Sequence, residues 1–125
     1  LREWSASEGM GWKAWIWHSP GKLDRLVGFI LEDEDHNSIS LSDWHPDEDA
    51  NQAILLAERQ NLWWDYALGH NEDGYFVYNW GTVSERPYGH PDTTLARGEK
   101  PATAVLLGVA AKCGFDYRVA EEAKQ

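Results

Sequence analysis

Leu62-Trp63-Trp64-Asp65-Tyr66-Ala67-Leu68, Gly69-His70-Asn71-Glu72-Asp73-Gly74 and Tyr75-Phe76-Val77-Tyr78-Asn79-Trp80 form the stretch that decides the fold. Its two arms are rich in aromatic residues that suit a pleated, half-buried surface, and Asn71, Asp73 and Gly74 supply turn chemistry between them. The stretch therefore predicts a β-hairpin. In the first arm Leu62, Trp64, Tyr66 and Leu68 share one face at period two, and Trp63, Asp65 and Ala67 share the other.

Upstream, Leu1 to Glu8 predicts a short helix stopped by Gly9-Met10-Gly11. Trp12 to His18 predicts a first strand, closed by Ser19-Pro20-Gly21, and Leu26 to Leu31 a second that pairs with it. Asp47-Glu48-Asp49 suits the positive end of a helix dipole, and Ala50, Ala53, Ile54, Leu56 and Ala57 give a core-facing stripe, so a helix runs from about Asp47 to Asn61. Downstream, Gly81 to Gly98 reads as a turn-rich loop with a short strand at Thr93 to Arg97. Pro101 suits a first helical turn, and Ala102, Val105, Leu106, Val109, Ala110 and Cys113 recur at helical spacing before Gly114. Residues 116–125 predict a frayed tail.

The sum is a single α+β domain over residues 1–125: an antiparallel sheet of four to five strands packed with two to three helices, in the order α-β-β-α-β-β-α. Forty-two per cent hydrophobic residues and eight Trp in 125 residues supply enough area to offset ordering entropy, with five or six of the Trp expected in the core. Eleven Lys and Arg against twenty-one Asp and Glu give a net charge of −10, which repels phosphate backbones and argues against duplex DNA and anionic membranes as partners. No apolar run reaches the ~20 residues of a membrane span. The single Cys113, in an apolar run, predicts a buried inert thiol in a reducing cytoplasm. The chain opens on Leu1 rather than Met, which leaves room for a removed upstream piece.

Motifs for chemistry are missing. The acidic run Glu32 to Asn37 resembles a calcium loop counted from Asp33, but Ser38 stands where that loop needs Gly and Trp44 where it needs Glu. His36, Asp43 and His45 match no metal spacing, so no metal is expected. There is no P-loop and no G-x-G-x-x-G, hence no cofactor, and Cys113 on an apolar helix face packs rather than reacts. The residues favour binding over catalysis. Two modes follow: an acidic surface docking on a basic protein, or an aromatic stacking on a nucleobase while cations and the last helix's N-terminus meet phosphate oxygens. Phe76, Asn79, Arg97 and Lys100, at the ends of the hairpin and the last helix, are the candidate ligand-binding residues, with Arg86 flanking the same loop.

Met10-Gly11-Trp12 before an aromatic strand, Trp44-His45-Pro46 before a helix with Asp49 to Ala53, and Ala96-Arg97 leading into Pro101-Ala102-Thr103-Ala104-Val105 resemble the small phage proteins that carry the phage ABA sandwich domain. The sequence departs from that pattern in two places: the usual upstream helix is reduced to Leu1 to Glu8, and Lys100 stands where a Thr cap is common. The resemblance implies a phage or prophage accessory protein in the cytoplasm of an infected bacterium, similar in size and element order to Thoeris anti-defence sponges, which sequester nucleotide-derived immune signals. The expected function is a non-enzymatic sponge for such a signal. The alternative is an acidic inhibitor of a nucleic-acid-binding host defence protein such as a CRISPR-Cas component. Either leaves room for homo-oligomerisation.

Overall fold

A computed structural model of the chain describes residues 1–31, 35, 37–80 and 94–115. The first helix, α1 (Arg2–Trp4), continues as a π-helical turn over Ser5–Gly9, and Gly11 leaves it at φ +73°. Strands β1 (Lys13–Trp17), β2 (Arg25–Ile30) and β3 (Ser38–Ser40) form an antiparallel sheet in that order. Helix α2 (Ala50–Arg59) follows, then a 3-10 turn at Leu62–Trp64. Strands β4 (Tyr66–Asn71), β5 (Gly74–Asn79) and β6 (Thr94–Gly98) form a second antiparallel sheet, again in chain order, and α3 (Pro101–Lys112) closes the fold. The architecture is α+β and antiparallel, with two three-stranded sheets among the described residues rather than a single one of four to five strands. The additional strand, β3, is three residues long, too short to show an alternation against the acidic run before it.

The central hairpin is present with a different first arm. Register is set from the turn: Asn71 pairs with Gly74, Gly74 takes φ +117°, and the Asp73 N–H donates to Asn71 Oδ1 (3.0 Å). Counting back from that turn, Tyr66 pairs with Asn79, and the strand ends there. Leu62–Trp64 is instead a helical turn, entered through Asn61 in the left-handed region at φ 55°. Leu62 is buried by that turn and not by a strand face.

The hub of the packing is α3. Ala102, Ala104, Val105, Leu106, Gly108, Val109 and Ala110 are all buried, which covers most of the helix circumference and requires neighbours on several sides. It lies on β5 and β6 and against α2. Pro101 starts it, and Gly114 at φ +76° ends it, with the Phe115 N–H donating to Ala110 C=O (2.9 Å). Phe115 then stacks on Trp4 at 4.8 Å, so the chain is still ordered one residue before the expected tail at 116–125, which lies outside the described residues. The expected loop at 81–93 and most of the acidic run, 32–34 and 36, also lie outside them.

Helix α2 starts three residues later than its acidic prelude suggests, because Asp49 is the cap: its carboxylate accepts from the N–H of Asn51 (2.9 Å) and of Gln52 (3.2 Å). Ala53, Leu56 and Ala57 turn inward, whereas Ile54 of the predicted stripe is exposed. Ahead of it, Asp47 joins three elements. Arg2 donates to both its oxygens (2.6 and 2.9 Å), and Thr103 Oγ1 of α3 donates to its backbone carbonyl (2.8 Å).

The hydrogen bonds from Arg2 hold the Asp47 carboxyl below its ordinary value of 3.8, against a partial desolvation that raises it. A carboxylate with a depressed folded pKa stabilises the fold above its unfolded pKa and loses that contribution as pH falls through the folded one. Stability should therefore fall below about pH 3.8, and the denaturant midpoint of Asp47→Asn should show a shallower acid slope than wild type. Equal slopes would show that the pair does not hold in solution.

Candidate functional site

The four residues expected to bind a ligand do not meet at one place. Phe76 on β5 stands opposite Arg97 on β6, and the guanidinium carbon lies 5.3 Å from the ring centroid, a cation–π contact. The Phe76 ring is wholly buried, so it supports Arg97 from below and offers no open face for a base. Because β5 and β6 are antiparallel, Asn79 sits beyond the Tyr78–Thr94 end of the sheet and Lys100 beyond the Tyr75–Gly98 end. At about 3.3 Å per residue they are separated by roughly 20 Å along the strands. Lys100 caps α3 through its backbone, accepting from the Ala104 N–H (3.1 Å), without a side-chain cap bond.

A second site went unread because the tryptophans were expected in the core. Trp44 and Trp12 are buried and meet edge to face at 4.7 Å, and Trp4 and Trp63 pack half-buried against the core. Trp15, Trp17, Trp64 and Trp80 are exposed, half of the total instead of the expected two or three. Strand β1 is exposed at all five positions. Trp17, at 59% exposure, lines a groove of about 380 Å³ with Ser19, Lys22, Leu23, Arg25 and Val27, and Leu23 at the turn is 95% exposed. Arg25 also borders a neighbouring depression of about 550 Å³ with Arg2, Leu26 and Ser40.

The electrostatics of this hairpin oppose those of the chain. Residues Trp12 to Ile30 hold Lys13, Lys22 and Arg25 against Asp24 alone, a net of +2 in a protein of net −10. Asp24 is engaged by His18, Nδ1 to Oδ1 at 2.9 Å. Among the described residues no carboxylate lies within ion-pair distance of Lys22 or Arg25, although Asp and Glu outnumber Lys and Arg in the chain by twenty-one to eleven. The only trace of it in the sequence is this local excess of cations, Lys13, Lys22 and Arg25 against Asp24.

Cys113 corrects a second expectation. It is exposed at the C-terminal end of α3, its Sγ 3.5 Å from Gln60 Oε1, because the helical stripe ends one turn before it. Desolvation of the sulfur raises the thiol pKa, with Lys112 pulling the other way, so at neutral pH it is held as the thiol rather than as a nucleophilic thiolate. No group of three metal-ligating side chains gathers among the described residues. No helix of the described residues is long and apolar enough to cross a membrane.

Comparison with protein-family models, with curated proteins and with solved structures finds no match to this chain.

Proposed function

We propose that this chain is a non-catalytic binding protein that holds a nucleotide-derived signal, the role of a phage-encoded counter-defence sponge in an infected bacterium. One observation carries the reading: Lys22 and Arg25, without carboxylate partners among the described residues, flank the open Trp17 ring in a groove of small-molecule size. A nucleobase stacks on an indole face whatever its identity, and a guanidinium meets phosphate oxygens two at a time. In a protein of net −10 such a local positive site is selective for a compact anion with a ring, since a long polyanion would meet the acidic remainder.

Calorimetric titration with cyclic dinucleotides, cyclic trinucleotides and cyclic ADP-ribose isomers tests the reading. One member should bind, Arg25→Ala should weaken it about tenfold or more, and heating the loaded protein should return the ligand chemically unchanged. Loss on Arg97→Ala with Arg25→Ala unaffected would move the site to Arg97 on β6. Absence of heat with every member would reject the sponge.

The alternative, an acidic inhibitor docking on a nucleic-acid-binding defence protein, has its own observation. The Trp80 backbone N–H donates to the Asp65 carbonyl (3.2 Å), which sets Trp80 beside the residue that follows Trp64 in the chain, and both tryptophans are exposed. Salt-sensitive binding to a purified basic defence protein, lost in Trp64→Ala, would favour it.

A further inference from the structure

Strand β1 lies at the edge of its sheet: the order β1-β2-β3 gives it one neighbour, and its other backbone edge is without a strand among the described residues. Exposed edge strands are normally blunted by proline, by charged side chains, lysine above all, or by bulges, and of these β1 itself carries only Lys13, at its first position. Lys13-Ala14-Trp15-Ile16-Trp17 carries no proline, and the register irregularity of the pair is absorbed opposite it, where Trp15 faces Gly28 and Ile16 faces Leu26. Alternation puts Lys13, Trp15 and Trp17 on one face and Ala14 and Ile16 on the other.

We propose that β1 pairs antiparallel with β1 of a second copy, about a two-fold axis through Trp15, joining the two sheets into one of six strands. The pattern is self-complementary in that register. Ala14 falls opposite Ile16 of the other copy, small against large, and Lys13 falls opposite Trp17, an ammonium beside an indole face. Trp15 meets Trp15, and no like charges stand directly opposed. Such an interface is isologous and closes after two copies. Trp15 and Trp17 keep 39% and 59% of their surface, so with aromatic side chains of about 150–250 Å² each the four rings of the pair bury at most about 500 Å², the range of a weak, readily dissociable contact. A basic stretch could instead take an acidic partner, but the two cases differ in sign. Each copy carries −10 overall, so salt strengthens self-pairing by screening repulsion, and weakens docking of an acidic partner. The pairing shares Trp17 with the groove, but it does not depend on the groove taking a nucleotide.

Sedimentation velocity over a concentration series should show a 14.2 kDa monomer passing to a species of twice that mass, more readily at higher salt. Trp15→Lys, which sets two cations on the axis, should abolish the heavier species while leaving the circular dichroism unchanged. Should Trp15→Lys misfold, single thiols on a folded Cys113→Ser background fix the register. Trp15→Cys should oxidise to a covalent dimer, and Trp17→Cys should cross-link to Lys13→Cys but not to itself. A monomer at every concentration, a dimer that survives Trp15→Lys, or cross-linking of Trp64→Cys as fast as Trp15→Cys would overturn the proposal.

Discussion

Trp44→Ala should cost this fold about 3–5 kcal/mol, the loss typical of deleting a buried aromatic, and should leave it unfolded at denaturant concentrations where wild type is native. Trp44 is one of the largest fully buried side chains, packed edge to face against Trp12. Its indole N–H donates to Ser5 Oγ (2.8 Å), and that hydroxyl donates to the Arg2 carbonyl (2.6 Å), so one side chain ties the segment before α2 to the π-helical turn after α1. Two kinds of energy are therefore lost together. Trp44→Phe separates them, because it retains much of the packing and removes the donor, at a cost of about 1–2 kcal/mol for the hydrogen bond and the smaller ring. Trp64→Ala provides the contrast: the same deletion at a ring 72% exposed should fall within about 0.5 kcal/mol of wild type. Equal losses at Trp44 and Trp64 would mean that the assignment of inside and outside among the tryptophans is wrong.

That assignment is what the sequence did not disclose. Composition counts tryptophans but does not order them by depth, and period-two alternation failed at Leu62–Trp64. In β1 every position is exposed because, among the described residues, its one substantial neighbour is β2 and no helix covers either face. At Leu62–Trp64 a helical turn imitates alternation for three residues, and only the left-handed Asn61 gives the difference away. Where punctuation was strong the reading held. Pro101 and Gly114 bracket α3, Ser19-Pro20-Gly21 separates β1 from β2, and Asn71 with Gly74 fixes the central turn.

The candidate sites divide along the same line. Phe76, Asn79, Arg97 and Lys100 are candidates by their place at the ends of the hairpin and the last helix; register brings Phe76 and Arg97 together, whereas antiparallel geometry carries Asn79 to the far end of the sheet from Lys100. Register is a long-range property, fixed by turns and bulges that a window of residues does not contain. The Lys22–Arg25–Trp17 groove was hidden for another reason. Its cations look like ordinary solvated residues until the carboxylates are seen to lie elsewhere, and that is a fact about three dimensions.

Gly98→Ala should destabilise the chain by about 2–3 kcal/mol, although the substitution normally stabilises wherever backbone and space allow it. The obstacle here is space, not conformation. A Cβ at Gly98 would stand 2.7 Å from Ala104 N, 3.1 Å from its Cα and 3.1 Å from Thr103 Cβ, so two of the three nearest atoms are helix backbone that no rotamer change can move. Either β6 or the first turn of α3 must shift, and that turn is held by the Ala104 N–H to Lys100 carbonyl bond (3.1 Å) and by Thr103 on the Asp47 carbonyl (2.8 Å). The strain should therefore appear as faster hydrogen exchange at Ala104 before it appears in the melting of the rest. Gly108→Ala is the graded comparison: its Cβ would meet three Val77 side-chain carbons at 3.1–3.2 Å, a softer contact that a small rotation relieves, and about 1 kcal/mol is expected. Gly114→Ala tests the remaining term, since nothing lies within 4 Å there and the cost of about 1 kcal/mol arises from φ +76° alone. If Gly98→Ala proves no worse than Gly114→Ala, α3 does not seat on β6 as closely as this packing requires, and the placement of Arg97 and Lys100 that depends on it fails as well.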